Sequence, residues 1–458
     1  MHLPEPFIQS LQNIAGFNEA AFKKVHQSGG QVTSIRRNPN KIFDAQGSIF
    51  NDQTENVPWN KHGYYLLERP SFTLDPLFHA GAYYVQEASS MFLEQALEQT
   101  IDLLQPLKVL DLCAAPGGKS TLIQSLISKE SVLVSNEVIK TRVNILSENI
   151  TKWGAANVIV TNNDPKDFQR LENYFDVIVV DAPCSGSGLF RKDTAAIEEW
   201  SLNNVQLCSQ RQQRILADIL PALKENGILI YSTCSYSREE DEMISDWLIN
   251  NCQLSSVSLK LKKEWNIIET KSAQHHAFGY RFYPDKVKGE GFFIAVFKKS
   301  AVQGFIQQEK KEKMVLEKVS KNEIEIVKPW LKKTDDYFFI KQNEEIIAMP
   351  LYLQHDLHTI QASLYIKKAG VRMGAVIRNE LIPHHELAMS TITSSALPFA
   401  EVGLETALQY LRKQDIKIET PLKGWARVKY QHLPLGWVKI LPNRVNNYYP
   451  KEWRILNK

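Results

Sequence analysis

At 458 residues the chain is too long for a single compact core, so we expect two or three domains. A hydrophobic content of 43% and a charged content of 23% are ordinary for a globular protein. The net charge of +3 permits a nucleic-acid partner but does not require one.

The cysteines indicate a reducing compartment. They number five, which is odd, and no two have C-x-x-C spacing, so neither a disulfide framework nor a zinc site of the usual spacing is expected. No apolar stretch approaches the roughly 20 residues that span a bilayer, and the first residues lack the pattern of a secretory signal. We therefore expect a cytoplasmic protein with free thiols and no membrane contact. The cysteines are Cys113, Cys184, Cys208, Cys234 and Cys252.

The sequence pattern predicts an N-terminal α+β segment over residues 1–75. After a proline near a helix start, apolar residues recur at helical spacing from Phe7 to Ile14. The basic stretch SIRRNPNK, residues 34–41, contains a turn, and we interpret it as a solvated loop, with phosphate contact as the alternative. The following segment, HAGAYYVQEASSMFLEQAL, predicts an extended approach and then an amphipathic helix that begins near Ser89 and Ser90.

Apolar runs alternate with helical stretches from about residue 107 to residue 299. Such alternation is typical of a doubly wound, Rossmann-like parallel sheet, and right-handed crossovers are then expected. We assign residues 76–300 to this α/β domain. The apolar runs are KVLDL, SVLVSNE, NVIVTNND, DVIVVDAP, GILIYSTC and GFFIAVFKK.

The rest of the chain predicts a linker and a C-terminal region. Residues 301–323 are charged and poor in aromatic residues, which is typical of a linker or an exposed helix. Residues 324–458 carry shorter strands, such as YFFIK and EIIAMPLYL, and predict a mixed α/β region. Its basic tail contains interleaved tryptophan and tyrosine, so it is a candidate RNA-binding surface.

A glycine-rich turn, DLCAAPGGKS, follows the first apolar run of the central domain. A strand end, small residues and a helix start expose backbone N–H groups and the positive end of a helix dipole to a ligand. A P-loop fails because Cys113 stands where its first glycine belongs. A dinucleotide loop fails because the adjacent Gly117 and Gly118 do not form G-x-G-x-x-G. The third interpretation is an S-adenosylmethionine loop, which holds an amino-acid moiety and a ribose.

Acidic residues end three successive strands of the same domain. Glu137 ends the strand after the glycine-rich turn, about 20 residues on, where a ribose-binding acid is expected. Asp164 ends the next strand and is placed to meet an adenine edge, and Asp181 ends the one after it. Helix capping explains any one of these acids, but less readily all three. The pattern therefore favours the S-adenosylmethionine interpretation.

Two cysteines follow the strand that ends in Asp181 and the next predicted strand. Cys184 lies in VIVVDAPCSGSG and Cys234 in GILIYSTCSYS. Because ligands bind beyond the carboxyl ends of parallel strands, both thiols are expected in one crevice. The alternative for each cysteine is a buried, small hydrophobic side chain. That alternative is the one we favour for Cys113, Cys208 and Cys252.

The chain resembles the Nop/Sun family of RNA cytosine carbon-5 methyltransferases over about residues 30–300. The resemblance rests on DLCAAPGGKS, on NE-x4-R from Asn136 to Arg142, on VDAPCSGSGLFRKD and on YSTCSYS. SIRRNPNK, YYVQEASSM and RFYPDKVKGEGFFIAVFKK are similar to further family segments. AGVRMGAVIRNELIPHHELAMS and VNNYYPKEWR resemble the extension of its RsmF-like branch, which modifies small-subunit ribosomal RNA in bacteria.

The resemblance implies a class I methyltransferase that uses S-adenosylmethionine. It implies that Cys234 attacks carbon-6 of cytosine, which makes carbon-5 nucleophilic, and that Cys184 releases the product. Asp181 is then expected to hydrogen-bond the cytosine and also belongs to the cofactor site. One departure is Asp241, where the family commonly has asparagine. The implied cofactor residues are Cys113, Ala114, Ala115, Pro116, Gly117, Gly118, Lys119, Glu137, Arg142, Asp164 and Asp181.

The expected partner is small-subunit ribosomal RNA or the assembling subunit, bound by a monomer whose residues 1–75 and PUA-like residues 324–458 contact RNA. Two alternatives stay open: the same reaction on transfer RNA, and a non-catalytic RNA-binding assembly factor. The histidine pairs at 275–276 and 384–385 lack companion ligands at suitable spacing, so no metal is expected. Candidate phosphate or stacking contacts are Arg36, Arg37, Arg191, Lys192, residues 286–288, Lys423, Trp425, Arg427, Lys429, Arg444, Tyr448, Tyr449, Lys451, Trp453 and Arg454.

Overall fold

The N-terminal part of the chain forms two helices and a small antiparallel sheet. A computed structural model describes residues 2–43, 54–300 and 317–456. The first elements are α1 (Glu5–Ser10), α2 (Glu19–Gln27), β1 (Thr33–Arg37), β2 (Glu55–Asn56), β3 (Gly63–Leu66), α3 (Pro76–His79) and β4 (Tyr83–Val85). In the described residues the strands pair in the order β2-β3-β1-β4. Phe7 of α1 and Phe22 of α2 are fully buried, so both helices bury their apolar faces.

The basic stretch at residues 34–41 is part of the core, so the prediction of a solvated loop is wrong. Arg36 lies within β1 and is only 2% exposed. Its guanidinium donates to Gln86 Oε1 at 2.9 Å and to Thr121 Oγ1 at 2.6 Å, and it lies 4.7 Å from the ring centre of Trp153. Burial is tolerated because these donors are paired. Phosphate contact by Arg36 is excluded for the same reason.

The central part is built on one large sheet. Its elements are α4 (Leu93–Glu98), β5 (Lys108–Asp111), α5 (Gly118–Leu126), β6 (Val132–Asn136), α6 (Lys140–Trp153), β7 (Val158–Thr161), β8 (Phe175–Asp181), α7 (Ala195–Glu199), α8 (Leu202–Ile219), β9 (Leu223–Thr233), α9 (Glu242–Cys252), β10 (Leu254–Val257), β11 (Ile268–Lys271), β12 (Phe278–Phe282) and β13 (Phe292–Lys299).

The parallel core of this sheet runs β7-β6-β5-β8-β9, which confirms the doubly wound α/β fold. The winding reverses between β5 and β8, so a crevice opens beyond their carboxyl ends. The last apolar run, GFFIAVFKK, is also a strand, but β13 lies antiparallel to β9. It follows β12 directly as an antiparallel neighbour, without the crossover helix that a parallel strand needs.

The helix expected near residues 89 and 90 begins differently. A 3-10 turn spans Ser89–Phe92 and precedes α4. Glu87, not a serine, caps this turn, because its carboxylate accepts from the backbone N–H of Ser89 at 3.0 Å and of Ser90 at 2.9 Å. The predicted serine cap is therefore wrong, although a helix does follow.

The C-terminal part contains two further sheets. Its elements are β14 (Glu317–Lys318), α10 (Lys321–Val327), β15 (Tyr337–Gln342), β16 (Glu345–Pro350), α11 (Gln354–Ser363), β17 (Ile366–Ala369), β18 (Val371–Ile377), β19 (Glu380–Pro383), α12 (His385–Met389), β20 (Phe399–Glu401), α13 (Leu404–Leu411), β21 (Gly424–Tyr430), β22 (Leu433–Leu441) and β23 (Arg444–Asn447).

These strands divide unequally between sheets. Across the described residues the strand orders are β14-β15-β16-β18-β19 and β20-β21-β22-β23, whereas β17 joins the central sheet beside β7. Residues 301–316 of the expected linker lie outside the described residues, and its last residues hold β14 and the start of α10. No described helix is long and apolar enough to cross a membrane.

Candidate active site

The glycine-rich turn joins β5 to α5 at the point where the sheet reverses. Gly117 has φ of +117°, a backbone conformation that side chains other than glycine rarely adopt, and α5 begins at the next residue. Behind the turn, fully buried Asp111 accepts a hydrogen bond from Ser120 Oγ at 2.7 Å. Burial raises the pKa of Asp111 to about 7. The turn is thus anchored from below, next to the N-terminus of α5.

Glu137 and Arg142 lie beside this turn. Glu137 is buried just after β6, and its Oε1 accepts from the N–H of Ile139 at 2.9 Å. Its Oε2 accepts no hydrogen bond within the described ranges and lies 3.4 Å from Arg142 Nη1. Arg142 also donates to the carbonyl of Ala115 in the turn at 2.6 Å. A buried carboxylate oxygen with unused acceptor capacity fits a ribose hydroxyl.

Asp164 follows β7 and is partly exposed. Its carboxylate accepts from the N–H of Lys166 at 3.1 Å and caps a 3-10 helix over Pro165–Arg170. Helix capping therefore accounts for Asp164. Contact between Asp164 and an adenine stays a prediction.

The two thiols meet where β8 and β9 end. Cys184 Sγ and Cys234 Sγ lie 3.0 Å apart, and both side chains are half-buried. The hydrogen bond to Cys234, followed by burial, raises the pKa of Cys184 well above its ordinary value. The two sulfurs are therefore close enough to share a hydrogen bond.

A lysine–aspartate ion pair lies between the glycine-rich turn and the thiols. Lys119 Nζ is 2.7 Å from Asp181 Oδ2, and Ser232 Oγ donates to Asp181 Oδ1 at 2.8 Å. Burial alone would lower the pKa of Lys119, but the Asp181 carboxylate more than offsets it, and the net shift is upward. Lys119 therefore stays charged, with Cys234 among the groups that its charge attracts.

Glu240 joins the two cysteine loops, and the sequence interpretation missed it. It is fully buried and accepts from the N–H of Ser185 at 2.8 Å, from Ser185 Oγ at 2.5 Å and from Ser235 Oγ at 2.6 Å. Gln212 Nε2 donates to it at 3.2 Å. Because each serine directly follows a cysteine, one carboxylate sets the spacing of both thiols. Acidic residues in a run are usually solvated, so only the fold reveals this role.

A second link between the loops is backbone to backbone. The N–H of Gly188 donates to the carbonyl of Cys234 at 2.8 Å. A Cβ atom at position 188 would lie 2.7 Å from that carbonyl oxygen, so the approach requires glycine. From outside, Phe7 packs on Phe190 with ring centres 5.1 Å apart, and the N-terminal helices thereby cover the Cys184 side of the site.

Asp241, which stands where the family commonly has asparagine, belongs to a buried ionic cluster. Arg281 Nη2 lies 2.9 Å from Asp241 Oδ2 and 2.5 Å from Glu242 Oε2, and Thr233 Oγ1 donates to Asp241 Oδ1 at 2.6 Å. The cluster ties the end of β9 to β12. Asp241 is therefore accommodated as a partner of Arg281.

The crevice above the turn brings together most of the predicted cofactor residues. It includes side chains from β4 and the segment after it, which the sequence pattern predicts as an approach to a helix and which resembles a family segment, YYVQEASSM. Neither signal places these residues at the crevice, because the packing of β4 against the central domain decides it. The lining residues are Tyr84, Val85, Gln86, Glu87, Ser90, Cys113, Ala114, Ala115, Pro116, Gly118, Lys119 and Asp181.

Comparison with known proteins decides the family. The sequence model described as 16S rRNA methyltransferase RsmB/F matches residues 99–298, and the N-terminal domain of 16S rRNA methyltransferase RsmF matches residues 3–88. The methyltransferase RsmF PUA domain matches residues 399–455. Ribosomal RNA small subunit methyltransferase F of Vibrio cholerae is 30% identical over 98% of this chain and 97% of its own length. The chain belongs to the RsmB/F family of 16S rRNA methyltransferases. It is an S-adenosylmethionine-dependent methyltransferase.

Other members and solved structures agree with this assignment. Ribosomal RNA small subunit methyltransferase F of Aeromonas salmonicida is 30% identical over 92% of this chain and 90% of its own length. The crystal structure of a methyltransferase homolog protein from Pyrococcus horikoshii is 29% identical, with a TM-score of 0.52 over 65% of this chain and 100% of its own. NSun6 from Pyrococcus horikoshii, at 20% identity and a TM-score of 0.53, covers 65% of this chain and 99% of its own length and shares the fold.

For this RsmB/F family member, several candidate RNA contacts are wrong. Trp425, Arg427 and Tyr449 are buried in the C-terminal part, where their rings and stems form core. The Arg191 side chain is 7% exposed and pairs with Glu290 at 3.5 Å. The candidates that are exposed are Lys192, Lys288, Lys423, Arg444, Tyr448, Lys451 and Arg454.

The three remaining cysteines lie in different surroundings, and Cys113 is also one of the implied cofactor residues. Cys208 is buried within α8, and Cys252 is half-buried at the end of α9. Cys113 lines the crevice, although burial raises the pKa of its thiol. A thiol held protonated is a poor nucleophile, so Cys113 serves as a wall of the crevice.

Proposed function

We propose that this enzyme transfers a methyl group from S-adenosylmethionine to carbon-5 of a cytosine in small-subunit ribosomal RNA. The observation that carries the proposal is the pair of thiols, 3.0 Å apart, at the carboxyl ends of adjacent parallel strands. Carbon-5 of cytosine is a weak nucleophile, and a thiolate that adds to carbon-6 activates it. Membership of the RsmB/F family supports ribosomal RNA as the substrate.

In the first step the Cys234 thiolate forms a bond to carbon-6. Asp181 accepts a hydrogen bond from the base, and the Lys119 ammonium, 2.7 Å from Asp181, stabilises the negative charge that develops on the ring. When bound, the cofactor supplies an electrophilic methyl group on a sulfonium. The electron pair released to carbon-5 would form the new carbon–carbon bond, while the bond between the methyl group and the sulfonium sulfur would break and leave a neutral thioether. The base must leave any helix it occupies to reach this crevice.

In the second step the carbon-5 proton leaves, the bond from Cys234 to carbon-6 breaks, and the ring double bond is restored. Cys184 is the proposed base. In the free enzyme its pKa is raised first by its hydrogen bond to Cys234, and the charge of Cys234 adds to the shift. Once Cys234 is bonded to carbon, that charge is gone, so Cys184 gives its own proton to solvent more readily, and its thiolate then accepts the carbon-5 proton. Formation of the adduct thus favours the later release of the product, because it helps Cys184 to act as the base.

The residues that would hold the cofactor surround the glycine-rich turn. Glu137 would accept from the ribose hydroxyls through its unused Oε2, and Asp164 would meet the adenine. Arg142 would keep Glu137 and the turn together through its contact with Ala115. Residues 113–119 would enclose the amino-acid part.

We also propose the division into parts that the sequence predicted. Residues 1–75 would contact RNA, residues 76–300 would carry the chemistry, residues 301–323 would connect, and residues 324–458 would form a PUA-like RNA-binding region. The match of an RsmF PUA domain to residues 399–455 supports the last assignment. The protein would act as a monomer in the cytoplasm, where ribosomal RNA is made.

Methyl incorporation tests the function. Free 16S RNA, assembled small subunits and transfer RNA from cells that lack the enzyme are incubated with protein and methyl-labelled cofactor. Bisulfite sequencing then locates the product. We expect 5-methylcytosine in ribosomal RNA, and none with Cys234→Ala. Label only in transfer RNA would contradict the substrate, and RNA binding without any label would indicate a non-catalytic assembly factor.

A further inference from the structure

One strand of the C-terminal part reaches the cofactor edge of the central sheet. β17 pairs antiparallel with β7, with Ile366 opposite Thr161 and Ala369 opposite Ile159. Because the strands are antiparallel, β17 begins where β7 ends. The residue just before β17, Tyr365, therefore lies beside the segment that leads from β7 to the proposed adenine contact.

Asn163 and Tyr365 bind each other reciprocally at this edge. Asn163 Nδ2 donates to the carbonyl of Tyr365 at 3.0 Å, and the N–H of Tyr365 donates to Asn163 Oδ1 at 2.9 Å. The N–H of Asn162 donates to the same carbonyl at 3.3 Å. Asn163 is 9% exposed, so these bonds satisfy an amide that is largely shielded from water.

The same segment is tied to the end of β6. Asn136 donates to the carbonyl of Asn163 at 3.0 Å and accepts from its N–H at 3.0 Å. Asn162 Nδ2 donates to the carbonyl of Glu137 at 2.6 Å. The segment 162–164 is thus held on one side by Asn136 and Glu137, at the end of β6, and on the other side by Tyr365.

We propose that Asn163 is a positioning residue for the cofactor, and that the C-terminal part completes the adenosine side of the cofactor site through Tyr365. The inference rests on the proposed assignment of Glu137 and Asp164 to the ribose and adenine. Asp164 lies in segment 162–164, and the backbone carbonyl of Glu137 contacts this segment. The conformation of the segment depends on the contact between Asn163 and Tyr365. A segment held in its bound conformation binds ligand more tightly than one that must first be ordered.

The test uses Asn163→Ala in the full-length protein. Loss of the two side-chain bonds should weaken binding of S-adenosylmethionine about tenfold in titration calorimetry. The KM for the cofactor should rise by a similar factor, while kcat at saturating cofactor stays close to that of the wild type. General damage to the fold would instead lower kcat and the melting temperature together.

Asp356→Asn is the matched control. Asp356 also connects the C-terminal part to the central sheet, because it accepts from Tyr174 Oη at 2.6 Å and lies 2.7 Å from Lys108 Nζ. Lys108 begins β5, so this contact lies at the opposite edge of the sheet from the crevice. Its removal should leave cofactor affinity unchanged. An equal loss of affinity in Asp356→Asn would overturn the role of Asn163.

Two further variants separate the possible causes. Asn163→Asp has the same size as asparagine but cannot donate to the Tyr365 carbonyl, so it should not restore affinity. Wild-type affinity in either Asn163 variant would overturn the proposal. Glu137→Gln should weaken cofactor binding by itself. If Glu137→Gln binds the cofactor normally, the assignment of the adenosine site is wrong. If Glu137→Gln binds weakly while both Asn163 variants bind normally, only the positioning role of Asn163 is wrong.

Discussion

The Cys184 loop (residues 182–191) and the Cys234 loop (residues 234–241) occupy equivalent places and differ in their electrostatics. The Cys184 loop follows β8 and the Cys234 loop follows β9, and these strands are parallel neighbours. In each loop the serine directly after the cysteine donates a hydrogen bond to Glu240. Yet the pKa of Cys184 is raised by its hydrogen bond to Cys234, whereas the charge of Lys119 attracts Cys234. Equal positions in a fold therefore permit unequal surroundings, since hydrogen bonds, burial and nearby charges differ between the two thiols.

The largest expected effect comes from Cys234→Ala. Without the sulfur that adds to carbon-6, methyl transfer should fall by at least about a thousandfold, because the main route to an activated carbon-5 is lost. Incorporation of labelled methyl into small-subunit RNA measures it. Cys208→Ala, which changes a buried thiol of α8, should keep near wild-type activity. Substantial activity in Cys234→Ala would assign the attack elsewhere.

Cys184→Ala should separate the two loops most clearly. Attack and methyl transfer remain possible, but the release step lacks its proposed base, so a covalent protein–RNA complex should accumulate. A denaturing gel of enzyme mixed with RNA and cofactor detects the complex as a slowly migrating band. The double variant Cys184→Ala with Cys234→Ala should give no band. If Cys234→Ala traps RNA while Cys184→Ala is merely inactive, the two roles are reversed.

Glu240→Gln should affect both loops at once. The amide keeps the size of the carboxylate but gives up charge-assisted hydrogen bonds to Ser185 and Ser235, so the spacing of the thiols loosens. We expect kcat to fall about tenfold. Rapid-quench measurements should show slower formation and slower release of the adduct.

The neighbouring Glu239→Gln is the control for this variant, because Ser209 Oγ donates to the backbone carbonyl of Glu239, which the substitution keeps. It should leave both steps unchanged. An effect of Glu240→Gln on one step alone would mean that Glu240 serves a single loop.

The smallest expected effect is on stability as pH changes. Burial raises the pKa of Glu240 above its ordinary value of 4.5, although hydrogen bonds from Ser185 and Ser235 oppose the shift. The folded protein thus holds this proton more tightly than the unfolded chain does. Its stabilising contribution is complete below about pH 4.5 and is lost as the pH rises through the folded pKa.

Thermal melts from pH 4.5 to pH 8 check this sign. The melting temperature of the wild type minus that of Glu240→Gln should decrease as the pH rises over this range. Other buried acids, such as Asp111, are common to both proteins and cancel in the difference. A constant difference across the range would show that Glu240 keeps the same charge in the folded and unfolded states.

Local patterns predicted the central domain and the neighbourhood of its site. The apolar runs predicted β5 to β9. The residues that follow these strands, such as Cys113 and Cys234, were predicted to share a crevice. The structure pairs Lys119 with Asp181 and brings the two sulfurs within 3.0 Å of each other at the ends of adjacent parallel strands. Such predictions succeed because parallel strands all present their carboxyl ends at one edge.

The same local patterns failed where burial depends on distant partners. Arg36 looked solvated, but Gln86 and Thr121 satisfy its donors inside the protein. Trp425 and Tyr449 looked like a stacking surface, but they lie in a core. Composition records the type of a side chain and not the groups that the fold places around it.

By itself, the sequence determined the fold class, the methyltransferase family and the position of two cysteines at the ends of neighbouring strands, because these depend on periodicity and on short motifs at strand ends. The tertiary structure alone decided how the thiols are held and made unequal, through Glu240 and the contact between their sulfurs. It also decided that Tyr365, about 200 residues beyond the segment it supports, borders the proposed cofactor site. Hydrogen bonds between residues so far apart leave no pattern in the sequence, since either partner alone is an ordinary polar residue.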